Sequence, residues 1–248
     1  MTTIEPRTTE EARAALAGAC AAGKRLRAAG GGCFLWLGGA FPEPDALLRT
    51  CALDRTVFYE PEELVVKVEA GRTLAALQAE LAAAGQELPW DEPWPERQTV
   101  GGIIAAGLSG PRRLACGAPR DHVLGMTAAL SGGELIRPGG RVVKNVAGYD
   151  LTRLLVGSRG TLGVILEVAL KVKPLPERAW GVTARFDGAE DLWRAVAAVL
   201  DARAFPSFLE ARGGPGGFEL ATGAEGGREQ VEAQRALLRA AVRGGAAA

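Results

Sequence analysis

Thr99-Val-Gly-Gly-Ile-Ile-Ala-Ala-Gly-Leu-Ser-Gly110 decides the reading of this chain, together with Gly157-Ser-Arg-Gly-Thr-Leu-Gly163. Both set several glycines beside apolar residues. A glycine lacks a Cβ, so another backbone or a ligand comes close, and φ > 0 is open to it. Successive backbone N–H groups then form a concave anion site, which a helix N-terminus reinforces. Gly30-Gly-Gly-Cys33 is a third loop of this kind. Separated glycine loops in one chain point to a long, phosphate-bearing cofactor held along its length.

The 248 residues suffice for one large domain or two modest ones. Such a chain buries roughly three quarters of its unfolded surface and needs no disulfide or metal staple. Lys+Arg and Asp+Glu both total 29, and no long basic run occurs, which argues against a nucleic-acid protein. Cys20, Cys33, Cys51 and Cys116 lie far apart with no Cys-x-x-Cys pair, so neither an iron–sulfur cluster nor a zinc finger is expected. With no secretory leader, the expected location is the cytoplasm. The apolar runs fall short of the ~20 residues of a membrane span, so any attachment to the inner face of the membrane is expected through partner subunits.

His122 is the sole histidine. A Ser-His-Asp triad would have to use it, and no Gly-x-Ser-x-Gly elbow exists. No metal site is expected, and no catalytic residue is assigned.

Periodicity and punctuation give the elements. A helix over 10–22 is capped by Thr8 or Thr9. Strands follow at 26–29, 57–59 and 64–69. The helix at 73–84 places Leu74, Leu77 and Leu81 on one face between Thr73 and Gly85. A loop at 88–98 rich in proline and tryptophan leads to a short helix at 99–106. A hairpin over 123–130 and 134–137 turns at Ser131-Gly132-Gly133. Strands at 142–145 and 162–172 flank a short helix capped by Asp150. Beyond Pro174-Leu-Pro176, residues 180–186, 191–202, 205–211, 218–222 and 228–242 read β-α-β-β-α, most of a ferredoxin-like unit. Trp36, Trp90 and Trp94 read equally as core or as partner-facing anchors.

The segment from Val65-Val-Lys-Val-Glu-Ala-Gly71 to Pro174 resembles the FAD-binding domain of the vanillyl-alcohol-oxidase/PCMH superfamily. Within it, Thr99–Arg113, Arg120-Asp-His-Val-Leu-Gly125, Val143-Lys-Asn-Val-Ala-Gly-Tyr-Asp-Leu151 and Gly157-Ser-Arg-Gly-Thr-Leu-Gly-Val164 are similar to the flavin-binding subunits of bacterial glycolate oxidases. The resemblance implies an α+β fold: a PCMH-type FAD-binding domain at 1–176, with subdomains at about 1–88 and 89–176, then a truncated α+β cap at 177–248. It implies that Gly30, Gly31, Gly32 and Cys33, with Thr99, Val100, Gly101 and Gly102, hold the pyrophosphate of FAD. Gly107, Ser109 and Gly110 match the segment along the flavin, and Asp121 matches an arginine-aspartate pattern. Gly160, Thr161, Leu162, Gly163 and Val164 match the stretch whose backbone lines the cofactor. Lys144, Asn145 and Tyr149 match a flavin-proximal segment, where Lys144 and Tyr149 read equally as carboxylate ligands or as a solvated lysine and a packed tyrosine.

The chain departs from that pattern at three places. Relatives carry Arg-Gly-Gly-Gly-Thr/Ser in the first loop, where this chain has Ala29-Gly-Gly-Gly-Cys33, so a hydroxyl donor is replaced by a weak thiol. A glutamate common in the superfamily is Arg159 here. The cap is short and holds no histidine.

The resemblance therefore implies an FAD-binding subunit of a glycolate-oxidase-type complex, oxidising a small α-hydroxy acid. Its partners would be a paralogous catalytic flavoprotein and an iron–sulfur subunit. Two other readings stay open: a self-sufficient FAD oxidoreductase, and a non-catalytic scaffold paralogue.

Overall fold

The computed structural model describes residues 2–37, 39, 42–140 and 150–245. In chain order its elements begin β1 (Thr2–Ile4), α1 (Thr9–Ala21), β2 (Leu26–Ala29), β3 (Ala46–Arg49), β4 (Thr56–Glu60), β5 (Val65–Glu69), α2 (Leu74–Ala83), β6 (Gln86–Glu87), α3 (Val100–Ala106) and α4 (Arg113–Cys116). They continue α5 (Pro119–His122), β7 (Val123–Ala129), β8 (Leu135–Ile136), α6 (Leu151–Leu155), β9 (Val164–Lys171), β10 (Lys173–Pro174), β11 (Arg178–Phe186), α7 (Ala189–Asp201), β12 (Phe208–Gly214), β13 (Gly217–Gly226) and α8 (Arg228–Gly245). Two compact units result: Met1–Leu88 with Glu92–Leu108 and Ala118–Pro174, and Pro89–Asp91 with Ser109–Gly117 and Leu175–Ala248.

The first unit contains a parallel sheet ordered β1-β3-β2 and a five-stranded sheet ordered β4-β5-β9-β7-β8, antiparallel at every pairing. The larger sheet takes β4 and β5 from before residue 88 and β7, β8 and β9 from after it, so strands distant in sequence interleave. Helix α1 starts where Thr8 Oγ1 accepts the Glu11 N–H at 3.1 Å, and it buries Ala12 and Leu16 against Leu48, Leu53, Ala129, Val164 and Leu166. Helix α2 starts on Thr73, whose hydroxyl accepts the Ala76 N–H, and buries Leu74, Leu77 and Leu81. Each of those leucines contributes roughly 2–3 kcal/mol by leaving water.

The sequence misses β1 and β3. Each is four residues or shorter and finds its partners in parallel, across long crossovers that local periodicity does not register. The tryptophans divide: Trp90 is buried, whereas Trp36 and Trp94 are exposed.

The second unit stacks α7 and α8 on the antiparallel sheet β11-β13-β12. This is the ferredoxin-like β-α-β-β-α order, with β13 central. Leu192, Ala195 and Val199 of α7 and Leu238 and Val242 of α8 meet Phe186, Leu220 and Ala224 of the sheet. Among the described residues no helix is long and apolar enough to cross a membrane.

Candidate functional site: a glycine-walled cationic cavity

Strand β2 delivers Gly30, Gly31, Gly32 and Cys33 to the wall of a cavity of about 590 Å³ within the first unit. That volume lies inside the range of small-molecule and cofactor sites. Thr99, Gly101 and Gly102 from the start of α3 form another wall, and Gly160, Thr161, Leu162, Gly163 and Val164 before β9 form a third. Three stretches far apart in sequence thus meet around one space.

The glycines do different work. Gly30 makes room for the Thr99 side chain, and Gly31 lets two backbone segments touch: a Cβ on Gly31 would fall 1.7 Å from the Arg97 carbonyl oxygen. Gly101 lies against Ala70 in the same way, with Cβ to Cβ at 2.6 Å. Gly32 and Gly160 hold φ of +79° and +75°, values that L side chains seldom adopt.

The start of α3 is internally satisfied. The Val100 N–H donates to the Arg72 carbonyl at 2.9 Å and the Gly101 N–H to the Ala70 carbonyl at 2.8 Å. The Gly102 N–H donates to Thr99 Oγ1 at 3.2 Å. Donors open to a ligand lie elsewhere. Among the described residues, the N–H groups of Gly31, Gly32, Cys33, Gly160 and Leu162 find no acceptor within the protein.

Charge completes the design. Lys24, Arg25, Arg27 and Arg159 line the cavity, and no described carboxylate does. Open amides, surplus cations and apolar walls from Leu26, Phe34, Ile103 and Ile165 match an elongated molecule with apolar rings and a dianionic centre.

Not every residue named from the sequence reaches this space. Val100 is fully buried and does not line it. Gly107 ends α3 in a left-handed conformation, its N–H bonded to Ile103 O. Ser109 and Gly110 group with the second unit. Asp121 accepts the Ala118 N–H at 2.8 Å and faces Arg120 at 3.7 Å, which is a capping role. Lys144, Asn145 and Tyr149 lie outside the described residues. His122 is also apart from the cavity lining; burial pushes its pKa below the ordinary value, against the opposing pull of the Ala118 carbonyl and Asp121. Sequence reasoning passed over Lys24, Arg25 and Arg27. Their signal is the basic run entering β2, immediately before the first glycine loop.

Residues 2–139 match the model of a family described as FAD binding domain. Glycolate oxidase subunit GlcE of Escherichia coli K12 is 50% identical over 121 residues, 48% of this chain and 35% of that protein. Glycolate oxidase subunit GlcD of Bacillus subtilis is 33% identical over 174 residues, covering 70% of this chain and 37% of that one. A D-lactate dehydrogenase of Archaeoglobus fulgidus is 33% identical over 196 residues, covering 79% and 44%. The chain therefore spans less than half the length of each of these relatives. A solved alkyldihydroxyacetonephosphate synthase superposes with a TM-score of 0.83 over 98% of this chain and 50% of that one; at 18% identity the likeness is one of fold. The chain belongs to the FAD binding domain family, with the PCMH-type fold and FAD as its cofactor.

Proposed function

We propose that this chain is the FAD-binding subunit of a glycolate-oxidase-type complex, taking part in the two-electron oxidation of a small α-hydroxy acid. One observation carries the reading: three glycine-bearing walls enclose a cavity lined by cations and by no described carboxylate. Two relatives named as glycolate oxidase subunits support the choice of complex. Gly31, Gly32, Cys33, Gly160 and Leu162 would hold the cofactor's phosphates through backbone N–H groups, with Thr99 fixing the start of α3 beside them. Bound FAD supplies a two-electron acceptor, while the protein supplies position and electrostatics.

Removing hydride from a carbon beside a hydroxyl also needs a group to take the hydroxyl proton, held within ~3 Å of it. The sole histidine does not line the cavity. We therefore assign that group to a paralogous flavoprotein subunit, and onward electron transfer to an iron–sulfur subunit. Attachment to the membrane, in this reading, runs through those partners.

The chain purified with FAD and mixed anaerobically with glycolate or D-lactate should keep its visible flavin band. Co-expression with the partner subunits should produce turnover. The similarity to a D-lactate dehydrogenase favours a second reading, a self-sufficient dehydrogenase. Rapid bleaching of the isolated chain by either acid would select it, and Lys144 and Tyr149 would be the first residues to replace.

A further inference from the structure

Arg159 has an unusual place in the cavity. It is a non-glycine residue with φ of +55°, followed by Gly160 at +75°. A left-handed backbone costs such a residue on the order of 1 kcal/mol. The loop is fixed there from several sides. The Arg159 N–H donates to the Ala105 carbonyl at 2.8 Å, and the Gly157 N–H to the Ile104 carbonyl at 3.0 Å, tying the loop to the last turn of α3. On the other side Gly160 abuts β2, where a Cβ would stand 3.2 Å from the Ala28 methyl. Arg159 is thus anchored between α3 and the strand that feeds the first glycine loop, and it lines the same cavity.

The side chain is exposed, and no described carboxylate lies within ion-pair distance of it. Arg27, another lining cation, hydrogen-bonds to the Leu35 carbonyl, and Arg25 faces Asp45 at 3.8 Å. Arg159 has no comparable protein partner among the described residues. A guanidinium offers a planar fork of donors suited to phosphate oxygens. The first loop offers little to replace it, since Cys33 brings a thiol, a weak donor.

We propose that Arg159 is a phosphate-binding residue that pairs with the diphosphate of the cofactor and makes its affinity dependent on salt. The proposal rests on the FAD reading of the cavity and adds a named side chain to the backbone N–H groups assigned to the phosphates. It also accounts for the left-handed backbone at Arg159, which holds an arginine where a glycine would cost nothing.

The test uses the full chain freed of flavin, titrated calorimetrically with FAD, ADP and riboflavin. Arg159→Gly removes the charge while suiting the left-handed backbone, and Arg159→Lys keeps a cation. Arg159→Gly should weaken FAD and ADP by about tenfold at low salt and leave riboflavin unchanged. The difference should shrink towards 1 M salt, where charges are screened within ~3 Å. Arg159→Lys should retain part of the affinity, and melting temperatures should not fall. Unchanged ADP affinity in Arg159→Gly would overturn the proposal. So would equal losses for ADP and riboflavin, or a lowered melting temperature, since these mark a structural role. Wild-type protein that binds FAD but not ADP overturns the proposal alone; wild-type protein that binds neither overturns the reading of the cavity as well.

Discussion

Gly30 is pressed against Thr99: a Cβ at Gly30 would stand 2.0 Å from Thr99 Oγ1. The same hydroxyl accepts the Gly102 N–H and starts α3. The first glycine loop and the second are therefore packed on one another before any ligand arrives. The contact explains why the first loop begins with glycine, a residue whose value here is its missing side chain.

Gly31→Ala should be the severest single-methyl change in this region, because its Cβ would meet a backbone carbonyl that cannot rotate away. We expect a loss of about 2–3 kcal/mol in denaturant unfolding, the upper range for overpacking. Gly32→Asn should cost less, since only Leu35 Cδ1 lies near, at 3.7 Å, and asparagine tolerates the left-handed region. A Gly31→Ala protein as stable as wild type would show that the 30–33 loop moves freely from Arg97.

Gly101→Val should impair folding before it impairs cofactor binding. The new side chain would run into Ala70, whose carbonyl accepts the Gly101 N–H. A lowered melting temperature in flavin-free protein is the expected result. A variant that melts normally yet binds no FAD would place Gly101 at the ligand instead.

Lys67 and Glu167 pair at 2.6 Å, and Thr127 Oγ1 donates to the same carboxylate at 2.9 Å. Burial works to raise the pKa of Glu167, but the Lys67 and Thr127 hydrogen bonds outweigh it and the net shift is downward. A carboxyl held low in the folded state adds stability above its unfolded pKa and loses it as pH falls through the folded value. Lys67→Met should cost about 1–3 kcal/mol at pH 7, a range discounted for partial exposure. The difference from wild type should shrink on acidification. A gap that stays constant from pH 7 to pH 3 would show that Lys67 acts through packing alone.

His122 has the opposite relation to acid. Burial holds its folded pKa below the unfolded value, so the unfolded chain binds more protons between the two. Stability should fall as pH drops through the unfolded value near 6.5. His122→Gln should flatten part of that fall while leaving FAD affinity intact, as His122 does not line the cavity. Melting curves at pH 5.5 and 7.5 for both proteins provide the check.

Cys33 is a half-buried free thiol on the cavity wall. Acid precipitation of the holoprotein should release all flavin into the supernatant. Colour retained in the pellet and abolished by Cys33→Ala would instead make the thiol an attachment point.

The sequence by itself determined most of the longer local elements and the type of ligand. Thr8 or Thr9, Thr73 and Asp150 announce helix starts; in the structure Thr8, Thr73, Asp150 and also Thr99 each accept a hydrogen bond from the first turn that follows. Glycine loops beside apolar runs announce an anion cradle, because φ and Cβ constraints act within a few residues. Only the tertiary structure decided which of those glycines face a ligand and which face protein. Gly101 and Gly31 read alike in sequence, yet one N–H is consumed by Ala70 and the other remains open. It also decided that Lys24, Arg25, Arg27 and Arg159 line one cavity, and that β1 and β3 are strands at all. Those outcomes depend on partners far away in the chain. Hydrogen-bond pairing and charge clustering across such distances leave no periodic trace in the residues that take part.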